Sequence, residues 1–263
     1  MKEKLLVLAK ACPEISSKYE QLVCVAGITD KGEWRRIYPI PWKAFWANSS
    51  TNFKKKMWIE YELESDEPSD HRPESRKIKF DTIKPLKEAS FKEIEDILQA
   101  HLTSIEDIEH KTPKIASLGV IKPAIIDFAP VSNEHYEKLM KKKEQRTVFG
   151  EIAVKLEIPK YKYQYKFKDD AEGRKHEILC EDWEVAELYR HCEEYRKAGK
   201  YKDENEVHSK VRDKMLKGIT ANNHVYFIVG SHYRFSTYMI IGVIYPRKAD
   251  IKKPNLLHPA NNK

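Results

Sequence analysis

Aromatic and charged residues alternate most strictly along residues 160–168, which read KYKYQYKFK. Aromatic residues hold the odd positions, and lysines hold the even ones except at Gln164. Because successive side chains of a strand point to opposite faces, an extended chain here has one aromatic face and one cationic face. A helical period would mix both classes around the helix. The pattern therefore predicts a strand whose two faces differ in chemistry.

Continuous apolar runs near the start of the chain predict further strands. Residues 5–12 and 22–28 are such runs, and they are typical of strands buried on both faces. A turn follows the second run, and residues 34–38 are predicted to return as a third strand. Residues 121–131 are apolar with two prolines, which indicates a buried segment that runs into a loop.

Residues 57–64 alternate between apolar and acidic side chains. The apolar side chains share one face, and Glu60, Glu62 and Glu64 share the other. This pattern predicts a half-exposed strand with an acidic outer face. The residues that follow, 65–76, contain two prolines and mixed charges, so we expect a loop there.

Capping residues mark the helices. Ser90 and Glu93 form a capping box in front of an apolar stripe at helical spacing. Asp182 precedes a second helical pattern, and Gly199 follows it as a stop signal. A third helix is predicted over residues 204–217.

The middle of the chain carries a change of phase. Ser132 is a candidate cap for a helix over residues 132–143. Apolar residues are even-numbered in 152–158 but odd-numbered after Pro159. Such a change requires a bulge, a strand break or a crossing between sheets, so we infer two strands there.

Two hairpins complete the predicted elements. Residues 161–167 are expected to pair with 174–180, and residues 224–229 with 236–245. Strands thus open and close the chain while helices lie between them, which indicates the α+β class. We expect curled, mostly antiparallel, barrel-like β-sheets with three to four helices inserted in the middle of the chain.

The same pattern suggests a division of the chain. We expect a β-rich N-terminal half at residues 1–131 and a half with helices and a hairpin at residues 132–246. The second half is expected to pack on the first, and a single domain that contains both is the alternative. Residues 247–263 are rich in lysine and poor in apolar residues, so a mobile basic tail is predicted.

The net charge of +7 favours polyanionic partners, although charge is evidence about association and not about fold. The chain has 4 cysteines, which are too few and too scattered for a disulfide framework. We therefore expect a reducing, cytoplasmic setting. The apolar run at the N-terminus is too short to span a membrane, so no membrane partner is predicted.

Motifs of known chemistry are absent from the sequence. It contains no phosphate-binding GxxxxGK[ST], no GxGxxG, no GxSxG and no HExxH. Cys180 and Cys192 lie too far apart for a typical zinc pair, even with His176 and His191 nearby. We predict neither a metal site nor a cofactor.

Three groups that combine cations with aromatic rings point to nucleic acid, either DNA or RNA. Lysine and arginine pair with phosphate, and exposed rings stack on bases. The predicted nucleic-acid-binding residues are Arg35, Arg36, Tyr38, Lys160, Lys162, Lys166, Lys168, His232, Tyr233 and Arg234. A nucleic-acid-binding protein is therefore the main hypothesis.

Two other functions stay open at this point, and no catalytic residue is assigned. A metal-dependent nuclease would use the mixed polar residues 70–74, from Asp70 to Glu74, because loops often carry chemistry. A protein-interaction module would use the acidic strand face at residues 60–64 against a basic partner.

Overall fold

The computed structural model describes residues 1–13, 22–45, 49–111, 115–134, 136, 159–169, 173–233 and 237–251. Within these ranges, twelve strands form two six-stranded sheets. One sheet curls into a half-barrel, and sheet content dominates. The predicted α+β class is confirmed.

The first sheet has the strand order β5-β3-β2-β1-β4-β6. Its strands are β1 Lys2–Lys10, β2 Leu22–Thr29, β3 Trp34–Pro41, β4 Met57–Leu63, β5 Ser75–Arg76 and β6 Ile78–Glu88. Neighbours pair antiparallel except for β3 and β5. The short β5 lies within the predicted loop 65–76, where sequence alone shows no strand pattern.

The second sheet has the strand order β7-β11-β12-β10-β9-β8. Its strands are β7 Leu118–Ile121, β8 Ala124–Ser132, β9 Tyr161–Lys168, β10 Lys175–Cys180, β11 Tyr226–Ser231 and β12 Tyr238–Ile244. The two predicted hairpins, β9–β10 and β11–β12, are confirmed.

The helices lie outside the two sheets. They are α1 Phe91–Ala100, α2 Ile105–Lys111, α3 Trp183–Lys197, α4 Glu204–Asp213 and α5 Lys248–Ile251. A 3₁₀ turn follows β3 at Trp42–Phe45, and a π-helical turn follows α4 at Lys214–Gly218. No helix in the described ranges has both the length and the apolar composition to cross a bilayer.

The predicted cap of α1 is confirmed. Ser90 Oγ accepts a hydrogen bond from the Glu93 amide at 3.1 Å. The Glu93 carboxylate accepts from the Trp58 indole at 2.8 Å, which attaches the helix to β4. Ile94 and Leu98 of the apolar stripe are buried, so local capping and tertiary packing agree in the placement of this helix.

The two sheets share one core where β1 faces β11 and β12. Leu6 and Leu8 pack with Tyr226 and Ile228 in a single buried cluster. A Cβ atom at Gly242 of β12 would lie 2.7 Å from the Leu8 carbonyl oxygen, so only glycine permits this close approach. This contact is therefore one of the places where the two sheets meet most closely.

The structure has a strand, β8, where the sequence predicted a buried segment that runs into a loop within residues 121–131. Its Pro130 lies opposite Tyr163 of β9, and β8 is an edge strand. An edge position tolerates proline because one side of the strand needs no ladder hydrogen bonds. The predicted helix 132–143 lies mostly outside the described residues, and the predicted strand 152–158 lies entirely outside them. Residues 248–251, in the predicted tail, form α5, and residues 252–263 also lie outside the described ranges.

Candidate functional site

The aromatic face of β9 belongs to the core. Tyr163, Tyr165 and Phe167 are only 2%, 0% and 0% exposed. The Tyr165 hydroxyl donates to the Met215 carbonyl oxygen at 3.0 Å, and Tyr163 Oη hydrogen-bonds His208 Nδ1 at 2.8 Å. These three rings are therefore packing residues, and stacking of bases on them is excluded by burial.

The lysine face of β9 points outward but is largely engaged in ion pairs. Lys160 pairs with Glu204 at 2.7 Å, Lys162 with Glu181 and Lys166 with Glu177. Lys168 is half-buried at the strand end and has no ion pair within the described residues. A phosphate on this face would compete with three carboxylates.

The predicted residues of β3 differ in their surroundings. Arg35 pairs with Glu3 at 2.9 Å and with Glu33 at 2.6 Å. Arg36 is 3% exposed and donates to the Ser117 carbonyl oxygen and hydroxyl, each at 3.1 Å. The prediction that Arg36 contacts phosphate is wrong, because the fold buries its guanidinium. Tyr38 is half-buried in the same strand.

The Asp70–Glu74 loop connects the sheets. Glu74 is buried and accepts from the Ser117 amide at 2.8 Å and from its hydroxyl at 2.7 Å. Asp70 pairs with Arg72 at 2.6 Å, and Arg72 also donates to the Ser231 carbonyl oxygen at 3.2 Å. The Glu74 carboxylate thus links the two sheets directly, and the Asp70 carboxylate orients Arg72, which makes a second link.

The β11–β12 loop presents one predicted ring to solvent. Tyr233 is 57% exposed, and its ring lies 5.5 Å from the Arg72 guanidinium and 5.5 Å from the His71 ring. His232 is half-buried beside it. Arg234 lies outside the described residues.

The acidic face of β4 also carries ion pairs. Glu60 lies 3.7 Å from Lys2, and Glu62 lies 3.2 Å from Lys79. The face predicted for a basic protein partner is therefore partly neutralised by lysines of the same chain.

A cleft beside β12, lined also by the start of α1, the π-helical turn and the residues before β4, forms a site that the sequence did not indicate. Its volume is about 760 Å³, and Lys56 and Phe91 line it from the N-terminal part of the chain. The C-terminal part contributes polar, cationic and aromatic groups, namely Lys214, Asn222, Asn223, Tyr245 and Arg247. Residues distant in sequence therefore meet at one site.

A buried ion pair that includes the lining residue Lys55 forms part of the floor of this cleft. Lys55 Nζ donates to Asp182 Oδ2 at 2.6 Å and to the Val243 carbonyl oxygen at 3.2 Å, and it lies 3.0 Å from Glu184. The side chains of Lys55 and Asp182 are 2% and 1% exposed. Desolvation opposes the charge, but attraction to Asp182 and Glu184 raises the pKa of Lys55 above its ordinary value, so it stays an ammonium.

Asp182 connects this floor to the elements around it. Its Oδ1 accepts from the Glu184 amide at 2.9 Å, which caps α3, and its Oδ2 accepts from the Val243 amide at 2.6 Å. The start of α3 and the end of β12 are therefore held by the carboxylate that binds Lys55.

Three cations of the cleft are available to a ligand. Within the described residues, Lys56, Lys214 and Arg247 form no ion pair with a carboxylate, and the lining carboxylate, Glu184, already pairs with Lys55. α1 begins at Phe91, which places the positive end of its dipole at the lining. The cleft therefore has an excess of positive charge.

Lys56 has a left-handed backbone with φ of 69°. Its amide donates to the Val7 carbonyl oxygen at 2.7 Å, and its carbonyl oxygen accepts from the Ala89 amide at 2.8 Å. The ammonium lies 5.5 Å from the Phe91 ring centroid. A non-glycine residue in this conformation is strained, and such strain is frequent at functional sites.

Lys10 lies behind the floor in an aromatic environment. Its ammonium is 4.4 Å from the Phe45 ring centroid and 4.6 Å from that of Trp183. It donates to the Phe53 carbonyl oxygen at 3.0 Å. Burial lowers the pKa of Lys10 to about 8, although the carboxylate of Glu184 opposes this change.

One group of side chains in the described ranges has ligand atoms close enough for a metal ion. These are Glu106, Asp169 and His176, with ligand atoms within 4.8 Å of one another. Asp169 already accepts from the Ile105 amide at 2.6 Å and contacts His176 Nε2 at 2.8 Å. Arg174 lies 3.0 Å from Glu106, and its positive charge opposes a cation there.

The sequence contains only weak signals of the cleft. A run of three lysines at residues 54–56 precedes β4, and Asn222 and Asn223 precede β11. Neither segment by itself indicates that it lies beside the other, because only the packing of one sheet on the other brings the lysine run and the two asparagines together. Sequence patterns consequently pointed to other residues as the binding site.

Two family models match the chain. One, described as Domain of unknown function (DUF8758), covers residues 1–101, and the other, described as Domain of unknown function (DUF8757), covers residues 99–261. Neither the curated proteins nor the solved structures contain a match. Lys56 and Phe91 lie in the first match, and Lys214 and Arg247 lie in the second, so the cleft combines both. Because the second model spans more than half of the chain, the protein belongs to the family described as Domain of unknown function (DUF8757).

Proposed function

We propose that the protein binds nucleic acid, DNA or RNA, with phosphate groups held in the cleft beside β12. The observation that carries this proposal is the group Lys56, Lys214 and Arg247, which line one cleft without carboxylate partners in the described ranges. Lysine and arginine are the residues that contact phosphate oxygens in most complexes with nucleic acid.

The surrounding charges support an anionic ligand. Among the described lining residues the one carboxylate, Glu184, is held by Lys55, so it neutralises the buried ammonium and not the three cations of the lining. A cleft with protein walls concentrates such a field, which attracts anions more strongly than a flat surface does. The net charge of +7 adds attraction at longer range.

The lysine face of β9 is the second surface to consider. Its alternate lysines lie about 7 Å apart, a spacing similar to that of phosphates along an extended strand. However, Lys160, Lys162 and Lys166 each pair with a glutamate. A phosphate that binds there would break one ion pair for each of these lysines that it engages, so we expect the cleft to contribute more.

A cytoplasmic location is part of this proposal. All four cysteines have free thiols, and burial raises the pKa of Cys12 and Cys180 well above the ordinary value. Thiols that stay protonated are chemically inert. Free cysteines are typical of reducing compartments, where DNA and RNA are also present.

The test measures the binding of a fluorescently labelled single-stranded oligonucleotide by anisotropy at several salt concentrations. The cleft variant is Lys214→Gln with Arg247→Gln, and the matched control is Lys162→Ala with Lys166→Ala on β9. Removal of one cation that binds a phosphate should reduce the slope of log affinity against log salt by about 0.7. We expect the cleft variant to reduce it by about 1.4 and the β9 control to leave it nearly unchanged.

The alternative outcomes are distinct. A reduced slope in the β9 variant alone would move the phosphate site to β9 and refute the cleft as the site. No binding of DNA or RNA at low salt would refute nucleic-acid binding altogether. Both variants change exposed or half-exposed side chains, so thermal melts should confirm that their folds are intact.

A further inference from the structure

We infer that the cleft recognises a terminal phosphate together with the nucleoside that carries it. This inference rests on the proposed function and specifies the ligand of the same site. The ligand would be a phosphate monoester of a nucleoside, present either as a free nucleotide or at the phosphorylated end of a strand.

The size of the cleft supports a ligand of this kind. Pockets for small ligands enclose about 300–1,000 Å³, and the cleft encloses about 760 Å³. Lys55, buried in its pair with Asp182, forms part of the floor. The cleft thus has the volume of a site for one small ligand such as a nucleotide.

The charge of the cleft matches a monoester better than an internal phosphodiester. Lys56, Lys214 and Arg247 offer three cations without carboxylate partners in the described part of the chain. A phosphodiester within a strand carries one negative charge, whereas a phosphate monoester carries about −1.5 to −2 at neutral pH. The second negative charge of a terminal phosphate would therefore be balanced by cations that a single phosphodiester would leave unpaired.

The remaining lining residues suit the nucleoside. The Phe91 and Tyr245 rings line the cleft and are half-buried, so each exposes part of a ring to a base, which on Phe91 would lie beside the Lys56 ammonium. The side-chain Nδ2 of Asn223 donates to the Ile219 carbonyl oxygen at 2.9 Å, which leaves the Asn223 side-chain oxygen as an acceptor for a ligand. The Asn222 side chain is exposed and offers both a donor and an acceptor.

The experiment compares oligonucleotides of one sequence that end in a 5′-phosphate, a 3′-phosphate or hydroxyl groups only, with an internal fluorescent label. We expect one phosphorylated end to bind about tenfold more tightly, which corresponds to about 1.4 kcal/mol. In Lys214→Gln with Arg247→Gln this preference should disappear. Calorimetric titration with AMP, adenosine and inorganic phosphate tests the free nucleotide.

The results separate the two sources and the two proposals. Preference for a phosphorylated end identifies the strand end as the ligand, whereas binding of AMP without such a preference identifies a free nucleotide. If Phe91→Leu lowers the affinity for AMP but not for inorganic phosphate, the Phe91 ring contacts the nucleoside part of the ligand. If oligonucleotides bind through the cleft but neither end phosphorylation nor AMP has any effect, the inference is refuted while nucleic-acid binding stands. If AMP binds and no oligonucleotide does, nucleic-acid binding is refuted, and a free nucleotide is left as the ligand of the cleft.

Discussion

Replacement of Lys55 by methionine tests how the two sheets are held at the floor of the cleft. The Lys55 ammonium is buried and has acceptors in Asp182, Glu184 and the Val243 carbonyl group. Methionine fills a similar volume without the charge. The Lys55→Met variant therefore removes the ion pair while it leaves the packing largely intact.

The expected loss of stability follows from the charge that stays behind. Removal of one partner of a buried ion pair costs about 3–5 kcal/mol, because the other charge is left uncompensated. Asp182 would keep its hydrogen bonds from the Glu184 and Val243 amides. These bonds partly stabilise the carboxylate, so we expect a loss near the lower limit, about 3 kcal/mol at neutral pH.

The pH dependence identifies the mechanism. Burial raises the pKa of the Asp182 carboxyl, and the Lys55 ammonium opposes this rise. Without the ammonium the pKa rises further, so the penalty is full above the raised pKa and diminishes as pH falls through it. The raised pKa of Lys55 itself affects stability only at alkaline pH, above its ordinary value. We therefore expect the difference between wild type and variant to decrease from pH 7 to pH 5.

The measurement is urea denaturation at several pH values, with Lys79→Met as the control. Lys79 pairs with Glu62 at 3.2 Å on the surface, where an ion pair contributes at most about 1 kcal/mol. If Lys55→Met costs no more than this control, or if its cost is independent of pH, the explanation by an uncompensated buried charge is wrong.

Two further predictions concern lysines at or near the cleft. Lys56→Gly should leave the free energy of unfolding unchanged or raise it by up to about 1 kcal/mol, because glycine accepts a φ of 69° without strain. The same variant should weaken oligonucleotide binding. A clear decrease in its stability to denaturant would show that the backbone at Lys56 is not strained. The lowered pKa of Lys10, about 8, means that the unfolded chain binds this proton more tightly. Between pH 7 and 9.5 wild type should therefore gain about 1–2 kcal/mol relative to Lys10→Met, and parallel stability curves for the two proteins would show that the lysine is not buried as described.

Local sequence patterns were sufficient to predict those strands and helix ends that depend only on neighbouring residues. The alternation in β9, the cap at Ser90 and the stop at Gly199 each depend on neighbouring residues, and each has its predicted structure. β8 and β5 were not predicted as strands because their strand character comes from pairing with distant strands. Pro130 in particular argues against a strand until the edge position of β8 is known.

The chemistry of the surface could be predicted only in part. Composition determined a net positive charge and hence a preference for anions, and alternation determined that β9 has a lysine face. Which cations stay available depends on carboxylates far away in sequence, such as Glu204 beside Lys160. Burial of Arg36 and Glu74 at the junction of the sheets is likewise a result of tertiary packing.

The amino-acid sequence by itself thus determined most of the strands, the capped helices, the α+β class and the sign of the charge, because these depend on local periodicity and composition. The tertiary structure alone decided that Lys56 and Phe91 meet Lys214 and Arg247 in one cleft. The physical reason is the close packing of β12 on β1, which Gly242 permits and which brings the buried Lys55–Asp182 pair together.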